Sequence, residues 1–375
     1  MFSGDRDVAR GRMGPFHSTL EGISQFWDRI DVLTPHAEGA SPKRIFGNVH
    51  IHPSSQARIA QPRSIVRETG SLLSERPYAL AVSHDFGLFY NGVGALRVKA
   101  RYGIPYVSEL HHVAGHPRAA NAGERVLKWI ARWYVQWSKA EVLAFRAVNN
   151  IQMPALLRSW GVPQKKILVL PSGNLDLETF RPRESKTVRW DAMFCGRLAP
   201  NKGLDLLAGA LAAIAGARPE SKFLIVGEGP KRRSLERRLR SLGVAGAVTF
   251  AGWIDSEGSL AEEYRSSRVL LCTSYNEGGP RVCLEAMACA TPVVATPVGL
   301  MPELIEDRLN GRIANWDARE IAAAALEIIG DPEAAERMGR LGRQTVEPLA
   351  KEKTLPRYAR AYRELAERAA GAPVR

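Results

Sequence analysis

Cysteine is scarce in this 375-residue chain, with only Cys195, Cys272, Cys283 and Cys289. Their spacing offers no metal-ligand pairing and no disulfide framework, which points to a reducing compartment. Three of the four sit in apolar runs and read as small core residues. No apolar run approaches the roughly 18 residues that a membrane-spanning helix needs. The first ten residues, Met1 to Arg10, are polar and lack the apolar centre of a signal peptide. Any membrane association is therefore expected to be peripheral. There is no short-period repeat and no low-complexity tract. Acidic residues are in deficit: 39 Asp and Glu face 52 Lys and Arg, a formal net charge of +13. That excess implies an anionic partner, whether nucleic acid, an acidic membrane face or a phosphorylated ligand; the bland alternative is a merely soluble basic surface.

What is present reads as a two-domain α/β protein. Apolar content of 45% and charged content of 24% are those of a soluble globular chain, and the length favours two domains. Strand-like runs alternate with helix-like ones: Ile30–Thr34, then a helix over 64–75, Tyr78–Ser83, a helix over 92–102, Pro105–Leu110, a long helix over 124–146, and strands at 147–150 and 167–170. Residues 171–190 carry Pro171, Gly173 and Pro182 without a sustained period and read as a linker. Alternation then restarts at Trp190–Cys195 and continues to a strand over 291–296. Such alternation indicates parallel sheets covered by helices, with ligands taken at the carboxyl ends of the strands.

Several strand ends carry chemistry. Phe194-Cys-Gly-Arg-Leu-Ala-Pro-Asn-Lys-Gly203 places Gly196 where backbone can approach a ligand, and Arg197 and Lys202 where two cations suit a diphosphate. Two surface basics in a turn are the plainer reading. Phe223–Pro230 is a second Gly-rich exit, through Gly227, and is weak alone. After Val248-Thr-Phe-Ala-Gly252 come Trp253 and Ile254, suited to flank a flat base, although a Trp there is more often core. Asn276-Glu-Gly-Gly-Pro-Arg-Val-Cys-Leu-Glu285 follows a strand and opens a helix, an anion site with Glu277 and Glu285 placed for hydroxyl groups.

In this order the motifs resemble glycosyltransferase family 4, the retaining nucleotide-sugar transferases of the GT-B fold. The resemblance covers the whole C-terminal half, including Pro292–Glu303, and extends to Gly161-Val-Pro and Pro171-Ser-Gly173 before it. It implies two Rossmann-like doubly wound domains facing across a cleft. Residues 1–170 would bind acceptor, 171–190 link, and 191–350 bind the nucleotide sugar, while a helix in 351–375 packs back toward the N-terminal domain. It further implies that Arg197 and Lys202 hold the donor diphosphate, with Gly196 and Gly227 lining it. Glu277 would contact the transferred sugar and Glu285 the ribose. The turn Gly278-Gly279 and the backbone of Arg281 and Val282 would meet a phosphate. His111 or His112 would lie near the reaction centre. Donor would be a UDP- or GDP-sugar, and acceptor a glycan or lipid-linked molecule of bacterial exopolysaccharide, lipopolysaccharide or envelope synthesis.

Two departures stand out. Pro280 removes an N–H where many members have Gly. The apolar first strand of the family is missing or degenerate, through a misplaced start or a lost strand, and only Gly11-Arg-Met-Gly14 resembles its glycine loop. A catalytically impaired homologue and a sugar-nucleotide epimerase are therefore the alternatives. Nucleic-acid binding is set aside for want of zinc-finger spacing or an aromatic RNA-binding signature. No metal or cofactor is expected: Asp5-Arg-Asp7 reads as solvated charge, and His111, His112 and His116 lack a Cys or carboxylate cluster. The helix over 124–146 carries Trp129, Trp133 and Trp137 among basic residues, which suits either packing on a sheet or an anionic membrane. The expected location is cytoplasmic, either free or peripheral at the cytoplasmic face of the inner membrane.

Overall fold

Continuous apolar runs become parallel strands buried on both faces, because helices cover each side of a parallel sheet. The computed structural model describes residues 1–12, 14–171, 175–183 and 187–371. Parts of the expected linker, residues 172–174 and 184–186, lie outside the described residues, and so does Gly173 of the Pro-Ser-Gly run. The chain forms two compact units. One comprises Met1–Ala114, Val126–Asn174 and Lys351–Arg375; the other comprises Gly115–Arg125 and Leu175–Ala350. No helix among the described residues is long and apolar enough to cross a membrane.

The first unit holds β1 (Ile30–Thr34), β2 (Lys43–Ile45), β3 (Val49–Pro53), β4 (Ala81–His84), β5 (Tyr106–Leu110), β6 (Ala144–Ala147) and β7 (Ile167–Val169). Strands β4 to β7 pair in parallel in that order, while β3 lies parallel to β1 and antiparallel to β2. Of the two expected forms of the first strand, missing or degenerate, the structure has the degenerate one, a single bridging residue at Phe2. Phe2 donates its N–H to Val82 O (2.7 Å) and accepts from His84 N (2.9 Å). On its other side Leu33 N donates to Met1 O (2.9 Å) and Ser3 N to Leu33 O (3.0 Å). Phe2 thus bridges β1 and β4 in parallel with both. A paired stretch this short has no period to read. Gly11 caps a one-turn helix, Asp7–Arg10, with φ 81°, and Gly14 precedes the helix Pro15–Ser24.

The long helix also ends earlier than its composition predicts. It spans Ala122–Ser138, and the residues expected to finish it form β6, so the strand expected at 147–150 lies at Ala144–Ala147. All four residues of β6 are buried between β5 and β7. Sheet pairing there overrides local helix preference. The helix Lys351–Ala369 belongs to this unit, and its Tyr358 and Tyr362 hydroxyls donate to Glu109 Oε1 (2.6 and 2.5 Å).

The second unit holds β8 (Trp190–Cys195), β9 (Phe223–Val226), β10 (Val248–Gly252), β11 (Ser267–Cys272), β12 (Val293–Ala295) and β13 (Arg312–Ile313). Their spatial order is β10-β9-β8-β11-β12-β13, all parallel. Strand order reverses between β8 and β11, so the connecting segments part there and leave an opening at the carboxyl ends. All four cysteines are buried, as small core residues should be.

Candidate functional site

The turns leaving β8, β9 and β10 are laced together. Gly227, at φ 125°, donates its N–H to Gly252 O (2.7 Å), and a Cβ on it would stand 2.1 Å from Gly196 O. Only glycine fits that approach. Past Gly196, Arg197 is exposed and its guanidinium makes no ion pair among the described residues. Lys202 lies in the turn Pro200–Lys202, and its ammonium is hydrogen-bonded to Glu277 Oε1. Burial works against that ammonium, but Glu277 outweighs it and holds the pKa above the ordinary lysine value. Gly203, at φ 60°, seats this turn on the end of β11, since a Cβ there would lie 2.0 Å from Thr273 O.

Beyond β11 the chain crosses to Glu277. Ser274 Oγ donates to Glu277 Oε1 (3.2 Å), while Trp316 Nε1 (2.8 Å) and Thr296 Oγ1 (2.6 Å) donate to Ser274 O. Asn276 Nδ2 donates to Arg118 O (2.9 Å) and Glu124 Oε2 (2.8 Å), which fastens the 115–125 segment of this unit beside the turn. After Gly278 and Gly279, Pro280 caps the helix Arg281–Ala288. Cys283 N–H is spent on Pro280 O (2.9 Å), and the amides of Arg281 and Val282 open the helix ahead of it.

Glu285 lies one turn into that helix and is buried. Tyr264 Oη donates to its Oε2 (2.9 Å) and Arg281 Nε to its Oε1 (2.6 Å), while Arg281 Nη2 reaches Glu257 (2.7 Å). Burial raises the Glu285 pKa, and Arg281 opposes the rise. The two glutamates therefore differ: Glu277 faces a lysine at the turn, and Glu285 sits in a closed network. Trp253 is 72% exposed just past β10, so its core reading is overturned, while Ile254 is half-buried against the core.

His111 and His112 belong to the first unit, and His116 to the second. His111 is exposed, with Nε2 3.0 Å from Glu109 Oε2, and His112 beside it is half-buried. His84, Glu109 and His111 place ligand-type atoms within 4.8 Å of one another. Glu109 is already fully engaged, however: Arg146 Nη1 lies 2.9 Å from Oε2 and the two tyrosines occupy Oε1. The guanidinium supplies the cation, so this donor set suits a compensated carboxylate better than a metal ion. Burial opposes the Glu109 charge, yet Arg146 and the histidines drive its pKa well below the usual range. Burial pushes His84 down to about 4.

Sequence reasoning brought Lys202 to the same site as Glu277, and Arg281 to Glu285. It missed Tyr264, Ser274 and Asn276, as well as Glu109 and Arg146. Apart from the Ser274–Glu277 contact their partners are remote in sequence, and no local period marks them.

Comparison with known proteins decides the family. Residues 176–345 match Glycosyl transferases group 1, and residues 18–173 match the Glycosyl transferase 4-like domain. The chain belongs to the group 1 glycosyltransferases. It is 30% identical to a D-inositol 3-phosphate glycosyltransferase of Segniliparus rotundus, over 93% of this chain and 79% of that protein. It is 31% identical to the protein of that name in Kribbella flavida, over 74% and 70% of the two chains. Among solved structures, sucrose-phosphate synthase from Thermosynechococcus elongatus superposes with a TM-score of 0.82 at 20% identity, over 97% of this chain and 98% of that one. Anabaena HepE in complex with UDP and glucose gives 0.76 at 17% identity, over 96% and 98%. This glycosyltransferase has the GT-B type of fold that the resemblance implied.

Proposed function

We propose that this glycosyltransferase moves a hexosyl group from a UDP-sugar to a hydroxyl of a glycan or lipid-linked acceptor in envelope polysaccharide synthesis, with retention of anomeric configuration. The observation that carries the donor side is the Lys202–Glu277 pair at the strand ends, beside the opening of the helix Arg281–Ala288. Lys202, Arg197 and the amides of Arg281 and Val282 hold the diphosphate and stabilise the charge left as the sugar departs, so no metal ion is invoked. Glu277 meets the hydroxyls of the transferred sugar. Glu285 meets the ribose, exchanging one of its present partners for a sugar hydroxyl. Trp253 flanks the base. The acceptor hydroxyl attacks on the face from which diphosphate leaves. Uridine is preferred over guanosine because HepE binds UDP.

A second acceptor reading has its own support. Relatives about 30% identical are named for D-inositol 3-phosphate, and a net charge of +13 suits a phosphorylated cyclitol.

The test is a melting-temperature panel of nucleotide sugars. A ligand at a hundred times its Kd adds about 2.7 kcal/mol. A shift with one UDP-sugar that disappears in Glu285→Ala supports the donor site; no shift with any donor overturns it. Incubating that donor with inositol phosphate or with a lipid-diphosphate glycan, and reading the product anomer by NMR, separates the two acceptors and tests retention.

A further inference from the structure

The helix Ala122–Ser138 buries one face, through Ala131, Tyr134, Val135 and Ser138, and leaves the other uncovered. On the open face Trp129, Trp133 and Trp137 are 67%, 54% and 45% exposed, with Val126 exposed beside them. A four-residue step keeps side chains on one stripe of a helix. Trp133 and Trp137 accordingly stack, with ring centroids 5.4 Å apart and planes at 28°. Scattered single apolar side chains on a surface need no explanation, but a contiguous row of indoles marks a contact surface.

The charge around this row says what covers it. Arg125 and Arg132 are exposed on the same helix, and Lys128 and Lys139 are half-exposed. The acid at its start, Glu124, is spent on Ala120 N (2.7 Å) and Asn276 (2.8 Å). Glu141, just past its end, pairs with Lys99 (3.6 Å). A second copy of this chain would set Arg125 and Arg132 against like charges. Anionic headgroups complement them, and indole is the side chain that settles at a headgroup boundary. We propose that this face docks the protein on an anionic lipid surface, with the three indoles at headgroup depth and the flanking cations on lipid phosphate. The proposal goes beyond the transfer reaction and does not depend on the identity of donor or acceptor.

The test is co-sedimentation of the full chain with phosphatidylcholine vesicles, with and without phosphatidylglycerol, followed also by tryptophan emission. Wild type is expected to sediment with the anionic vesicles, with a blue-shifted emission that salt reverses. The triple variant Trp129→Ser, Trp133→Ser, Trp137→Ser should lose roughly tenfold in partitioning, since binding scales with buried apolar area. Arg125→Gln with Arg132→Gln should lose about fivefold per cation removed, only on anionic vesicles. Melting curves test whether each variant is folded, and the arginine pair stands as an independent arm if the triple variant is not. Glu285→Gln should sediment as wild type does, which separates this surface from the donor site. Three results overturn the proposal: no sedimentation of wild type with either vesicle, partitioning unchanged in the folded variants, or a wild-type dimer in solution that the triple variant dissociates.

Discussion

Lys202 and Glu277, 75 residues apart in sequence, meet as a hydrogen-bonded ion pair. The exit of β8 brings the lysine and the exit of β11 brings the glutamate. Glu277 keeps the lysine ionised against its burial, and a diphosphate arriving there would find a cation already aimed by its carboxylate partner.

Removing either partner should disable transfer without unfolding the chain. Lys202→Ala is expected to lower kcat by roughly 10²–10³, the size of losing one fixed donor to a developing anion. Glu277→Gln should fall in the same range. Because the two act as a unit, the double variant should cost little more than the worse single one. Steady-state kinetics on the four proteins checks this; strictly additive losses would separate their roles.

Glu109 is the hub of the first unit, tying Arg146 on β6 to two tyrosines on the helix Lys351–Ala369. Glu109→Gln leaves the Arg146 guanidinium buried without its counter-charge and should cost about 3–5 kcal/mol in urea unfolding. Tyr362→Phe removes a single hydrogen bond to a charged group and should cost about 1.5–3 kcal/mol.

Acid should weaken the same region. Burial holds His84 at about 4, below the ordinary 6.5. Between those values the unfolded chain binds a proton that the folded chain does not, so stability is whole above the unfolded pKa and falls as pH drops toward 4. The loss reaches about 3 kcal/mol. Glu109, also held below its ordinary value, adds to it on further acidification. Melting temperature against pH checks the slope, which His84→Gln should flatten above pH 4.

Trp253 carries little of the fold, being largely exposed. Trp253→Ala should leave stability within about 0.5 kcal/mol. If the indole stacks on a base, UDP binding should weaken by roughly 1–3 kcal/mol. Calorimetric titration of UDP decides it, and unchanged affinity would remove Trp253 from the site.

The sequence by itself determined the strand ends that carry the motifs, and their order. Strands such as Phe223–Val226 are continuous apolar runs, and the glycine turns after them are read locally. The glycines mark these turns in the local run, but what demands glycine at Gly227 is the close approach of Gly196 and Gly252, which the fold supplies. Only the tertiary structure decided what depends on remote partners. Met1–Ser3 is strand-like because Leu33 and Val82 flank it, and the helix stops at Ser138 because the next residues complete a sheet. Tyr362 meets Glu109 across 253 residues. The outward aim of Trp129, Trp133 and Trp137 was likewise open, since helical spacing aligns side chains on a face without saying which face is covered. Local patterns set conformations cheaply, whereas long-range pairs form only when the whole chain offsets the entropy of bringing them together.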